Sequence, residues 1–262
     1  MLLENNISSH SFLISDSDIL VYDIVKPISL SESDIQIMYE IRCNNLNIKD
    51  YDPNRDKEYF INDVKICDYI FIIRKKSQIV FMTCLYIKTY IHKNIKYNIF
   101  YLEYGHKKPD IPNISVSYFI LLLLYKYPNI AYFNNIYLYV DCLPASFNLF
   151  KRYFPNVLTL FDNNISPLES ELLFEITKFY RKNDFNTETK LVSTNVMLKK
   201  IRLSDGLKKS SNFAFYEKHN PNWSEGYVIS IIIPITLWKL ILTITNYIFD
   251  RMVNLINKIY KK

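Results

Sequence analysis

Asn98-Ile-Phe-Tyr-Leu-Glu-Tyr104 and Ile136-Tyr-Leu-Tyr-Val-Asp141 are two apolar runs of strand length. Between them lie a polar loop, Gly105 to Asn113, and an apolar stretch, Ser115 to Tyr127, long enough for a helix. Strand, helix and strand in that order predict a crossover unit, which lays the two strands side by side and aims the first loop at the sheet's carboxyl edge. Ligands of open α/β sheets gather at that edge. A short helix from Pro144 to Tyr153 completes the stretch.

Working outward, Asp18 to Lys26 alternates and is rich in β-branched residues, so it reads as a first strand. The residues before it, 1–16, are polar and read as weakly anchored. Ser29-Leu-Ser-Glu32 has the spacing of a capping box and predicts a helix to about Cys43 that buries Ile35, Met38 and Ile41. Asn54 is the expected cap of a second helix through Val64, with Tyr59, Phe60 and Val64 inward. Three strands follow as a meander. Asp68 to Ile73 turns at Arg74 to Ser77 into Gln78 to Tyr90, and His92-Lys-Asn94 turns into the strand ending at Tyr104. Val157 to Phe161 predicts an edge strand, Ser166-Pro167 a capped helix start, and Leu191 to Ile201 a strand within the loop-rich stretch 183–226.

Tyr227 to Phe249 carries one charge, Lys239, over 23 residues. Pro234 and Lys239 interrupt it, and a lysine in mid-bilayer costs a few kcal/mol. The segment therefore splits into a buried strand, Gly226 to Thr236, and an amphipathic helix, Leu237 to Tyr260. Polar residues recur on one face at Lys239, Thr243, Asn246 and Asp250, while Trp238, Leu240, Ile241, Ile248, Phe249 and Val253 lie on a wide apolar face. That face needs cover, from the rest of the chain, a partner helix or a membrane surface, and a membrane span stays open on length alone.

Composition sets the outer bounds. With 262 residues and 49% hydrophobic side chains, a large core is available. Only 3 glycines occur, and neither a P-loop nor a G-x-G-x-x-G run is present, which weighs against a glycine-rich nucleotide cradle. The net charge of +6 is scattered over lysine pairs such as Lys75-Lys76 and Lys208-Lys209, which reads as solvated surface. The 22 tyrosines and 17 phenylalanines line nearly every element, as core aromatics rather than a nucleic-acid stacking platform. Cys43, Cys67, Cys84 and Cys142 lack ligand spacing, as do His10, His92 and His219, so no metal site is expected. Buried thiols and an amino terminus unlike a secretion signal predict a cytoplasmic or cytoplasm-facing protein.

From about Ile19 to Leu160, the order strand, two helices, three-strand meander, helix, strand, helix resembles the GNAT acyltransferase fold, an α/β (α+β) mixed sheet flanked by helices. Leu102-Glu-Tyr-Gly-His106 sits where that family's acyl-CoA strand ends. Asp141-Cys-Leu-Pro-Ala-Ser-Phe-Asn-Leu-Phe-Lys-Arg-Tyr-Phe154 looks like its closing strand and helix. The resemblance implies a GNAT-like domain over 17–162, an accessory extension over 163–236 and the helix 237–262. It also implies acetyl-CoA or another acyl-CoA as co-substrate, an amine acceptor, and a thioester across the splayed ends of strands 98–104 and 136–141. The family's pyrophosphate loop, Q/R-x-x-G-x-G/A, is here His106 to Ile114, with two prolines and no glycine beyond Gly105. Binding would rest on Tyr104, Gly105, Lys107, Lys108, Asn113 and Ser115. Glu103 and His106 are the expected bases. The family's tyrosine acid falls near Phe150, for which Tyr153, nearly one helical turn on, would substitute.

Overall fold

The computed structural model describes residues 10–15, 18–48, 52–108, 111, 119, 120, 123, 135–194, 196–198 and 203–259. The chain divides into two compact units. The first comprises 1–88, 99–113 and 194–201, and the second 89–98, 114–193 and 202–262.

In the first unit the strand order is β1 (His10–Ser15), β2 (Asp18–Val25), β4 (Tyr69–Lys75), β5 (Gln78–His92) and β6 (Ile95–Lys107). β1–β2, β2–β4 and β4–β5 are antiparallel. The residues expected to be weakly anchored therefore include an edge strand, because β2 offers His10–Ser15 a free ladder. Ile70, Phe71, Ile72 and Ile73 of β4 are all fully buried, as an apolar run covered on both faces should be. The two hairpin turns, Lys76-Ser77 (φ 48° and 65°) and Lys93-Asn94 (φ 48° and 63°), put both central residues in the left-handed region. That conformation suits two-residue hairpins and is usually taken by glycine. Here lysine, serine and asparagine take it.

Helix α1 (Glu32–Asn45) starts later than the sequence pattern predicts. The box is Ser31 with Asp34: the Asp34 N–H donates to Ser31 Oγ (3.1 Å) and the Ser31 N–H to the Asp34 carboxylate (3.4 Å). Ser29 instead closes a 3-10 turn, its hydroxyl donating to the Lys26 carbonyl. Tyr39 and Arg42 are buried beside Met38 and Ile41, and Ile35 is half-buried. Helix α2 (Pro53–Ile66) is capped by Asp52, whose carboxylate accepts from the Asn54 and Arg55 amides. Asn54 thus lies inside the first turn, since a charged oxygen at the positive helix end outcompetes a neutral amide. Phe60 and Val64 are buried, whereas Tyr59 is 55% exposed. β3 (Leu46–Ile48) pairs antiparallel with β11 (Val196–Leu198), so the expected strand 191–201 is two short ones.

The second unit is ordered from the tip of β6 through β7 (Ile136–Cys142), β12 (Tyr227–Pro234) and β10 (Leu191–Ser193) to β9 (Phe185–Asn186), with β8 (Leu158–Thr159) also on β12. β12 runs antiparallel to β7, from Ile229 opposite Cys142 to Pro234 opposite Tyr137. At the β6 tip, the Asn98 N–H donates to the Asn135 carbonyl (3.1 Å) and Tyr97 packs on Tyr137. Of the expected helix 115–127, Phe119, Ile120 and Leu123 are helical and fully buried. The remainder lies outside the described residues. Helices α3 (Pro144–Tyr153), α4 (Pro167–Tyr180, capped by Ser166), α5 (Ser211–His219) and α6 (Leu237–Ile259) follow. Strand β12 and helix α6 divide the long apolar segment as the sequence predicts, with the break at Pro234. Among the described residues no helix is long and apolar enough to cross a membrane.

This unit encloses a charged network. The Asp141 carboxylate accepts from Arg181 Nε (2.6 Å), the Tyr139 hydroxyl (2.8 Å) and the Ser230 hydroxyl (2.6 Å). Its side chain is only 8% exposed. Removing the guanidinium would strand a carboxylate away from water. Arg181→Met is therefore expected to lower stability by about 3 kcal/mol, read from the urea unfolding midpoint.

Candidate functional site

β6 is buried through Leu102 and opens from Glu103 onward, with Glu103, Tyr104, His106 and Lys107 half-buried and Gly105 exposed. The extended backbone breaks at Tyr104, which has φ 57°. A bulky side chain in the left-handed region is a genuine outlier, at a cost of about 1–2 kcal/mol. Contacts from α1 and α2 hold it there. The Tyr104 hydroxyl donates to the Asp63 carboxylate. Its ring meets Phe60 edge-on, with centroids 5.3 Å apart. The Arg42 guanidinium lies 5.6 Å from the Tyr104 centroid and pairs with Asp56 at 2.5 Å. Thr83 Oγ1 donates to the Glu103 carbonyl (2.8 Å), and Asn45 Nδ2 to the Lys107 carbonyl (3.1 Å). Beyond the bend, the Lys108 N–H donates to Val80 (2.9 Å), and Lys107 Nζ folds back onto the Ile111 carbonyl. A Cβ at Gly105 would meet only Thr83 Oγ1, at 3.9 Å, so the position has room for a side chain.

Electrostatics sort these groups. Burial, reinforced by the Glu103 and Asp63 charges, pushes the Tyr104 phenol well above its ordinary range, so it stays a hydrogen-bond donor. The Cys84 thiol is raised by its hydrogen bond with Cys67 and by burial, which leaves it inert. Burial and the Arg42 charge bring the His106 imidazole down to about 3. At neutral pH it is an uncharged ring able to accept or donate a hydrogen bond, but a weak base.

The remaining residues singled out by the sequence lie elsewhere or outside the described residues. Tyr153 belongs to the second unit, half-buried at the end of α3 with the Arg152 guanidinium over its ring. Phe150 is a core residue against Phe154. Cys142 is fully buried with its thiol raised by that burial, the core packing that the sequence favoured. Asn113 and Ser115 fall outside the described residues. The second unit also holds an open cleft of about 340 Å³ where His219 stacks on Phe161 and meets Phe215 at a tilt, beside Asp162 and Lys218. Among the described residues, no group of three or more His, Cys, Asp or Glu could hold a metal ion.

Sequence reasoning missed Arg42, Asp56 and Asp63, which brace Tyr104. The signal was present in part: Asp56, Phe60 and Asp63 recur at steps of four and three, on one face of α2. Read alone, two aspartates and an arginine on helices look like solvent-facing charges.

No protein-family model matches the chain, and no curated protein does. Solved structures to which it is similar include proteins described as acetyltransferases or N-acyltransferases. An Enterococcus faecalis protein described as a "Probable N-Acyltransferase" is 11% identical with a TM-score of 0.38, over 50% of this chain and 31% of that one. A Clostridium acetobutylicum "predicted acetyltransferase with acetyl-CoA" is 14% identical with a TM-score of 0.39, over 57% of this chain and 97% of that one. A Pseudomonas aeruginosa "Acyl-CoA N-acyltransferase" is 8% identical with a TM-score of 0.37, over 56% and 94%. The first of these is matched over less than a third of its length.

The depressed His106 has a consequence for folding. The unfolded chain takes up a proton at this imidazole near pH 6.5, the folded chain only near 3. Between those values the unfolded state binds more protons, so stability falls as pH drops below about 6.5. In His106→Gln the urea midpoint should fall less between pH 7 and 5 than in the parent chain.

Proposed function

We propose that the chain transfers an acyl group from acetyl-CoA or a similar thioester to an amine. The observation that carries this reading is Tyr104, a tyrosine at φ 57° within a strand, over-determined by Asp63, Arg42 and Phe60. Strain of this kind collects at ligand sites, where it turns backbone groups from the sheet ladder toward a ligand. It falls at the carboxyl end of the strand that the sequence assigns to the thioester, beside Glu103 and His106.

With the imidazole held near 3, the base is Glu103. Its carboxylate takes the proton from the amine as the nitrogen attacks the thioester carbonyl. A C–N bond forms, the C–S bond breaks, and the departing thiolate takes a proton from solvent. Solvent also takes the proton from Glu103 and so returns it to its starting form. His106 positions by hydrogen bonding, and the Gly105 to Lys108 backbone with the Lys107 and Lys108 charges attracts the diphosphate of the carrier. Asn113 and Ser115 are assigned amide donors to the same group.

Calorimetric titration of the full chain with acetyl-CoA should give saturable heat, and heat no greater than dilution would overturn the reading. Given binding, release of free thiol in the presence of a panel of amines reports transfer. Glu103→Gln is expected to slow that release by about 10²–10³-fold at unchanged acetyl-CoA affinity. His106→Gln should leave the rate within a few-fold of the parent.

A further inference from the structure

Helix α6 presents its apolar residues outward. At 100° per residue, Leu237, Trp238, Ile241, Ile248, Phe249, Met252 and Val253 fall within one sector of about 160°. All of them are exposed, Trp238 by 66%, Ile248 by 52% and Phe249 by 67%. The opposite side holds Leu240 and Thr243, which are buried, and the helix packs there near α3. The expected polar stripe is thus partly turned inward, Thr243 fully and Lys239 by half. The exposed stripe runs over 17 residues, Leu237 to Val253, about 24 Å from end to end.

We propose that this face of α6 lies in the surface of an anionic membrane, with the helix axis in the plane of the interface. Charge favours that occupant over a second copy of the chain. Away from the half-buried Lys239, the helix carries Arg251 and Lys258 against one acid, Asp250, and the sequence continues into Lys261-Lys262. Two such helices would bring like charges together, whereas acidic headgroups complement them. Shape agrees: a sector this wide exceeds the narrow seam of a helix pair and suits a flat interface. Trp238 and Phe249 supply large apolar area, and the indole N–H can stay with the headgroups.

The test uses the full chain with vesicles of phosphatidylcholine, alone or mixed with phosphatidylglycerol. The protein should sediment with the mixed vesicles, less with the neutral ones, and less as salt rises. The double variant Trp238→Glu with Phe249→Glu alters two exposed positions, and its circular dichroism should match the parent. Its partition should fall at least roughly tenfold. In Trp223→Phe, where Trp238 is the remaining tryptophan, emission should shift to the blue on adding mixed vesicles. No sedimentation with either vesicle, equal sedimentation of the charged variant, or an unshifted Trp238 would each overturn the proposal. So would a dimer in solution that Ile248→Glu dissociates, since the second copy would then be the occupant. None of these readouts depends on acetyl-CoA.

Discussion

The hydrogen bond from the Tyr104 hydroxyl to Asp63 is the constraint on which the bend at the carboxyl end of β6 depends. Without it, a tyrosine at φ 57° has every reason to return to the extended region, and Glu103, Gly105 and His106 would resume the alternation of a plain strand. Arg42 makes the bond durable. Its guanidinium faces the rings of Tyr104 and Phe60 while paired with Asp56, and its side chain is only 7% exposed. Burial, and after it this same charge, hold down the His106 pKa. A single arginine on α1 thus braces the bend and helps keep the neighbouring imidazole uncharged.

The second unit depends on a different carboxylate. Asp141, one residue before the paired end of β7, gathers Arg181 from beyond α4, Tyr139 from its own strand and Ser230 from β12. The Tyr216 hydroxyl donates to the Cys142 carbonyl one residue on (2.7 Å), which ties α5 to the same strand end. Three hydrogen bonds, one of them also an ion pair, compensate the cost of keeping that charge from water. Cys142, fully buried beside them, is left a core residue.

How much of this the sequence disclosed follows from how local each feature is. The meander was legible because apolar alternation and two-residue polar turns are local, even with lysine, serine and asparagine doing glycine's work at the bends. Pro234 and the change of period after it marked the boundary between β12 and α6. Helix starts were misplaced by about two residues because Ser29 and Ser31 both fit a box, and because Asp52 and Asn54 both make caps. His10–Ser15 was missed since an edge strand is decided by its partner. Arg42, Asp56 and Asp63 were passed over because a charge on a helix reads as surface until the tyrosine that it braces is known.

Amide hydrogen exchange of the full chain, with and without acetyl-CoA, tests the central claim most directly. The account predicts that the cofactor slows exchange in peptides covering residues 103–108. Protection confined to the His219 cleft, or none along β6, would contradict it.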